Sequence, residues 1–131
     1  MNNKNKENIL NIDLSILSTI IFILASLVSL IIIFDERGKI TNKKYYFSNK
    51  KALDLSFYNR IVILIAVLIS LYVGYSNYEN EENNTTSKYK SSLLFLTNIL
   101  TVISALIILY VSYLNKQEQN LNVSDIENPL I

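Results

Sequence analysis

The sequence predicts an all-α membrane protein with three transmembrane helices in a small bundle. The first observation is composition: 50% of the 131 residues are hydrophobic and 18% are charged, below the roughly 25% charged residues of a typical soluble domain. The second is distribution, because the segments 14–34, 61–78 and 91–115 contain no charged residue. Each is close to or above the roughly 20 apolar residues that span a hydrocarbon core of about 30 Å.

The first transmembrane helix is assigned to residues 9–34, after a polar head at 1–8. Lys4 and Lys6 precede the apolar run, as they would in a signal peptide. A signal-peptide core has only about 7 to 15 residues and ends at a small-residue cleavage site, whereas this run is longer. We therefore interpret it as an uncleaved crossing, and we expect the charged and glycine-containing segment 35–38 to end the helix.

Residues 35–56 form a basic loop, whose second half is expected to extend the second helix into a basic interfacial segment. Cap-type residues at Ser48 and Asn49, with no glycine or proline after them, predict a helix that begins before the hydrocarbon. The second crossing then covers 57–78. The candidate contacts to lipid headgroups are Lys43, Lys44, Lys50, Lys51 and Arg60. Charge that only fixes the topology would explain the same residues, and we favour that interpretation.

The rest of the chain divides into a short polar loop at 79–90, a third crossing at 91–114 and an acidic flexible tail at 115–131. The loop and the tail contain too little apolar area to order themselves. Tyrosines agree with these boundaries, because the ring of an interfacial tyrosine is apolar while its hydroxyl is hydrated. The predicted interfacial aromatics are Tyr72, Tyr75, Tyr110 and Tyr113.

The distribution of basic residues predicts the orientation. With three crossings, the head and the second loop share one side of the membrane and carry four Lys residues, while the first loop and the tail carry eight Lys and Arg residues. Cytoplasmic flanks hold the excess of Lys and Arg. We therefore predict an N-out, C-in topology.

The second and third helices resemble each other at an offset of 38 residues. The segment Tyr72-Val-Gly-Tyr-Ser-Asn77 matches Tyr110-Val-Ser-Tyr-Leu-Asn115, and upstream Phe57 matches Phe95 among several Ile and Leu matches. A duplicated helix would explain the match. Two helix ends that each enter an interface would explain it as well, because Tyr followed by Asn is expected there.

Small and hydroxylated residues recur four apart in the second and third crossings. Such faces let helices approach closely in lipid, and Ser, Thr or Asn side chains can form hydrogen bonds across them. The predicted helix-packing residues are Ala66, Ser70, Gly74, Thr97, Asn98, Thr101 and Ala105. Packing within one chain is the preferred interpretation, with self-association and a polar pore lining as alternatives. Asn98 carries the sharpest expectation, because an amide in hydrocarbon needs a partner.

The chemistry of the side chains argues against an enzyme. The chain has no Cys, His or Trp, and the three apolar runs contain no ionisable Asp, Glu, Lys or Arg of the kind that moves ions or protons. It carries no glycine-rich phosphate loop and no nucleophile motif. We therefore expect no catalysis, no cofactor, no metal and no small-molecule substrate. Nucleic acid is also excluded as a partner, since the basic cluster is short and lies against the bilayer.

The remaining expectation is a small multi-pass integral membrane protein with a structural or accessory role. Its predicted partners are the lipid bilayer and either a second copy or another membrane protein. In size and in its three crossings with the N-terminus outside, the chain resembles one class of phage holins, although its tail is acidic. This resemblance implies the first alternative, an oligomeric pore of holin or viroporin type. The second alternative is an adaptor that presents the basic loop to cytoplasmic partners. The abundance of Asn, Ile and Lys is typical of an AT-rich genome, including some viral and phage genomes.

Overall fold

The computed structural model describes residues 3–41 and 47–118. It contains three helices within them: α1 (Asn3–Thr41), α2 (Asn49–Asn80) and α3 (Thr86–Glu118). All three are long and apolar enough to cross a membrane. The prediction of an all-helical chain with three potential crossings is therefore confirmed. Lys43 and Lys44 of the basic loop and the tail from residue 119 onward lie outside the described residues.

The first helix does not end where its apolar run ends. α1 continues through the charged segment 35–38 to Thr41, so the prediction that this segment terminates the helix is wrong. The physical reason is that charge limits a crossing but does not break a helix in water. Lys39 lies one turn after two acidic residues, 3.7 Å from Asp35 and 3.3 Å from Glu36, and such pairs stabilise a helix.

The ends of α2 and α3 are set by local capping. The side chain of Ser48 accepts a hydrogen bond from the backbone N–H of Lys51, and α2 begins at the next residue, Asn49, where the cap-type residues predicted a start. Thr85 does the same for α3 by accepting from the backbone N–H of Lys88 at 3.1 Å. At the far end, α3 continues through residues 115–118, which the sequence assigned to the tail.

α2 is the central helix and runs antiparallel to both of its neighbours. α1 packs along one face of α2 and α3 along another, whereas α1 and α3 make few direct contacts. The main apolar cluster joins all three helices through Ala25 of α1, Ile63 and Val67 of α2, and Ala105 of α3. Small residues from the outer helices thus approach the larger side chains of the central one.

The contact between α1 and α2 follows a seven-residue spacing. Buried residues recur every seven positions on both helices. On α1 they are Asn11, Ser18, Ala25 and Ile32, and on α2 they are Ala52, Asn59, Ala66 and Val73. A straight α-helix drifts only about 20° per seven residues, so residues seven apart stay on one face. Residues four apart drift by about 40° per step at 3.6 residues per turn. A stripe of residues spaced four apart therefore rotates away from a partner helix.

Aromatic pairs pack at both ends of the α2–α3 contact. The ring centroids of Phe57 and Tyr113 lie 6.3 Å apart with an interplanar angle of 49°, and those of Tyr75 and Phe95 lie 5.7 Å apart at 50°. The two pairs are related by the 38-residue offset, because Phe57 corresponds to Phe95 and Tyr75 corresponds to Tyr113. The residues matched in the sequence thus form equivalent contacts at the two ends of the hairpin, and the duplication itself stays a hypothesis.

Candidate functional site

The most distinctive feature of the structure is a line of hydrogen-bonded polar side chains between α1 and α2. We call it the polar seam, and it consists of Asn11, Ser18, Ser29, Asn59, Ser70 and Ser76. Its groups meet at three levels of the helix pair. The levels lie about 10 Å apart or slightly more, because each is separated from the next by one seven-residue step of α1 at 1.5 Å per residue.

The first level lies near the N-terminal end of α1. The Asn11 Nδ2 group donates to Ser76 Oγ at 2.9 Å and to Asn77 Oδ1 at 3.3 Å. The Asn11 side chain is buried, with 4% of the residue exposed. Its amide oxygen is also buried and accepts no hydrogen bond within the described residues. The amide N–H groups of Asn11 are therefore hydrogen-bonded, whereas its amide oxygen is not.

The second level lies near the middle of the two helices. The Ser18 hydroxyl donates to the backbone carbonyl of Ala66 at 3.0 Å, and its oxygen lies 2.8 Å from the Ser70 hydroxyl. Because a hydroxyl has one proton, Ser70 is the donor of the second bond when Ser18 donates to the carbonyl. Ala66 has 0% exposure, and its small side chain lets Ser18 reach the backbone of α2.

The third level is formed by Asn59, which the sequence analysis did not single out. Its Nδ2 group donates to the backbone carbonyl of Ala25 at 3.1 Å and to Ser29 Oγ at 3.0 Å. Asn59 and Ser29 are both buried. The signal that would have found this pair is the seven-residue spacing of Asn59 and Ala66 on α2, opposite Ala25 on α1.

The predicted packing residues separate into four groups, the last of which is the pair Gly74 and Asn98. Ala66 and Ala105 are buried in the core, Ser70 belongs to the polar seam, and Thr97 and Thr101 lie outside both. The two threonine hydroxyls donate to backbone carbonyls of their own helix, at 3.0 Å to Leu93 and 2.8 Å to Thr97. Thr97 is exposed and Thr101 is half-buried.

Gly74 of α2 lies against the side chain of Asn98 on α3. A Cβ atom at position 74 would overlap the Nδ2 group of Asn98, so the absence of a side chain there makes room for the amide. Within the described residues, Asn98 makes no hydrogen bond to another helix. The amide is accommodated by shape at this site, whereas the amides of Asn11 and Asn59 are held by hydrogen bonds.

The basic residues occupy two environments. Lys50 and Lys51 are exposed at the start of α2, whereas Arg60 is buried within the same helix with 4% exposure. Near them, Lys116 of α3 lies 3.4 Å from Asp54 and 5.0 Å from the ring centroid of Phe57. Arg60 and Lys116 at this end of the bundle are therefore part of the packing of the helices, whereas Lys50 and Lys51 are not. The interfacial tyrosines, in contrast, all stand on the outer surface: Tyr72, Tyr75, Tyr110 and Tyr113.

The structure has three helices that are long and apolar enough to cross a membrane, and buried hydrogen bonds join two of them, α1 and α2; these features fit a multi-pass helical membrane protein. Within the described residues, no three carboxylate side chains gather into a group that could hold a metal ion. No family model matches the sequence, and no curated protein and no solved structure matches it either. The function must therefore be argued from the geometry.

Proposed function

We propose that this protein is a structural or accessory component of a membrane or of a membrane-bound assembly and that it catalyses no reaction. The observation that carries this proposal is the polar seam. Polar side chains of a membrane helix serve either transport or packing, and here Ser18, Asn59 and Ser70 are held in hydrogen bonds between helices. Side chains committed to packing in this way are not free to line a path for ions.

The proposed orientation is N-out and C-in. The exposed Lys50 and Lys51 at the start of α2, together with the basic residues on either side, place the excess of positive charge at the end of the bundle that contains the α1–α2 connection. The positive-inside rule assigns this end to the cytoplasm. In this orientation Asn11 and Ser76 lie at the outer end of the seam.

A flux measurement with a matched packing measurement tests the proposal. Purified protein is reconstituted into liposomes that contain a fluorescent dye and an ion indicator, and its thermal stability is measured in parallel. We expect no leakage above that of empty liposomes, together with a cooperative melt. Leakage that rises with the amount of folded protein would contradict the structural role.

An oligomeric pore is the second candidate, because hydroxyl groups lie on the outer surface of α3. Thr97 is exposed there, and both Thr97 and Thr101 keep acceptor capacity on oxygens whose protons are bound to their own helix. Several copies that faced one another through this surface would surround a lumen with hydroxyls. In a pore, Thr97→Leu would reduce conductance by drying the lumen while leaving the melting temperature unchanged.

An adaptor role is favoured by the exposure of Lys50 and Lys51. These side chains project from the first turn of α2 and are available to anionic lipid or to an acidic partner. Copurification from a mild detergent distinguishes this role from a purely structural one. In an adaptor, the Lys50→Gln/Lys51→Gln variant would lose a partner that the wild-type protein retains, and the same variant would still assemble if the role is structural.

A further inference from the structure

A cleft lies beside the outer end of the polar seam. It has a volume of about 570 Å³ and is formed by one side of α1 together with Val73 and Asn77 of α2. Along α1 it extends from Asn8 to Ile20, which corresponds to about 18 Å at 1.5 Å per residue. One leaflet of the hydrocarbon core is about 15 Å thick. The cleft is therefore about as long as one leaflet is deep.

The two ends of the cleft differ in chemistry. Asn8, Asn11 and Asn77 form its outer end, and Ile12, Ile16 and Ile20 form a continuous apolar wall that leads inward. Ser15 and Thr19 also line it, and their hydroxyls donate to backbone carbonyls of α1 at 2.9 and 2.8 Å. Since those protons are already bound, the inner part of the cleft presents no free hydroxyl donor and is compatible with an apolar chain.

The outer end contains a group that needs a hydrogen-bond donor. Both protons of the Asn11 amide are directed to α2, while its oxygen is buried without a partner within the described residues. Buried polar atoms in folded proteins are nearly always hydrogen-bonded, and an exception calls for an explanation. The exposed side chain of Asn8 at the mouth can turn aside to admit a donor.

We propose that this cleft binds one phospholipid whose headgroup carries N–H donors. The ammonium group of the headgroup donates to the Asn11 oxygen, and an acyl chain lies along the wall formed by Ile12, Ile16 and Ile20. The lining residues include no charged side chain, so recognition depends on hydrogen-bond donors and does not require a net charge on the lipid. A primary ammonium headgroup meets this requirement, whereas a trimethylammonium headgroup has no N–H group.

The dimensions let a single acyl chain lie in the cleft but exclude a helix. A helix has a diameter of about 10 Å with its side chains, so an 18 Å segment occupies roughly 1,400 Å³. The cleft has less than half of this volume. A partner helix could lie across the mouth but could not enter far enough to reach the buried Asn11 oxygen.

The test is lipid retention by the full-length chain in native mass spectrometry. The protein in mild detergent is mixed with equal amounts of dioleoyl phosphatidylethanolamine and dioleoyl phosphatidylcholine, and bound lipids are counted. We expect one retained lipid per chain, with phosphatidylethanolamine preferred by about two- to tenfold, as one hydrogen bond provides. The N-monomethyl and N,N-dimethyl derivatives, which remove donors stepwise at constant charge, should be retained progressively less.

Two variants and a control locate the site. Asn11→Leu should abolish the preference for the primary ammonium lipid, but it also breaks the first level of the polar seam. Ile16→Phe leaves the seam intact and fills the cleft, so it should remove the retained lipid while the protein melts normally. Ile103→Phe introduces the same change at an exposed position of α3 and should retain the lipid as the wild-type protein does.

Three results would overturn the proposal. Equal retention of the two lipids by the wild-type protein would indicate a general lipid annulus without a donor-specific site. Retention that survives Ile16→Phe would place the lipid elsewhere on the molecule. A protein dimer that forms in place of the lipid complex, and that Ile16→Phe disrupts, would show that a second copy covers the cleft.

Discussion

Replacement of Asn59 by leucine tests the polar seam at its third level. The leucine side chain is similar in size, so the packed volume is largely kept while both hydrogen bonds of the Asn59 amide are removed. Hydrogen bonds between membrane helices contribute about 0.6 kcal/mol on average and at most about 1.7 kcal/mol. Two such bonds give a loss of about 1 to 3 kcal/mol in the free energy of unfolding.

The geometry around Ser29 lowers the upper limit of the expected loss in the free energy of unfolding. When Asn59 is removed, the Ser29 hydroxyl is left four residues after the Ala25 carbonyl on the same helix. This is the geometry in which Ser26 donates to Phe22 and Thr19 donates to Ser15. Ser29 can therefore bond to the carbonyl that Asn59 releases, which recovers part of the loss. We expect Asn59→Leu to destabilise the protein by about 1 to 2 kcal/mol.

The assay is equilibrium unfolding in detergent, with helicity as the signal and Thr97→Val as the control. Thr97 also loses a hydroxyl in this control, but its bond is within α3 and its side chain is exposed, so the expected change is below about 0.5 kcal/mol. A double-mutant cycle of Asn59→Leu with Ser29→Ala should give a coupling energy of about 0.5 to 1 kcal/mol. Equal stability of Asn59→Leu and Thr97→Val, or a coupling energy of zero, would refute the role assigned to the seam.

Three further predictions concern the other helix contacts and the topology. Gly74→Leu should destabilise the bundle by about 1 to 3 kcal/mol through overpacking, and Asn98→Ala in the same chain should recover part of this loss; a double variant no better than Gly74→Leu would show that the amide is not the obstacle. Lys116→Met should change the stability by less than about 1 kcal/mol, because the Lys116–Asp54 pair is about one-third exposed, and a larger loss in the same unfolding assay would reveal a stronger ion pair. A cysteine at the exposed position Lys50 should be protected from an impermeant thiol reagent in intact cells and one at Glu82 should be labelled, while the reverse pattern would invert the proposed topology.

The sequence predicted the three long apolar helices well because the cost of charge in hydrocarbon is large. Three charge-free runs led directly to three helices. The end of α1 was predicted wrongly because the same charges that end a crossing do not end a helix, and Lys39 forms ion pairs one turn after Asp35 and Glu36. Capping was easier to read, since Ser48 lies directly before the first residue of α2.

The partners of the polar side chains were harder to predict. Ala66, Ser70 and Gly74 are spaced four residues apart and were predicted to share one packing face. In the structure, Ser70 contacts α1 and Gly74 contacts α3. The difference arises because such a stripe rotates around the helix, whereas a spacing of seven remains on one face. The sequence points to Asn98 as the amide that needs a partner, but Asn11 and Asn59 are the amides that form hydrogen bonds between helices. The partner of an amide depends on how two helices are aligned along each other. The sequence of one helix does not specify this alignment.

The equivalent aromatic pairs of the α2–α3 hairpin have a consequence for membrane insertion. Phe57 with Tyr113 at one end of the hairpin and Phe95 with Tyr75 at the other form nearly the same contact. These two aromatic pairs therefore do not distinguish one direction of the hairpin from the other. We expect the direction in which the hairpin enters the bilayer to depend on the lysines that flank it and on α1, which packs mainly against α2. The aromatic pairs of this protein therefore hold the hairpin together without orienting it, and its orientation depends on other residues.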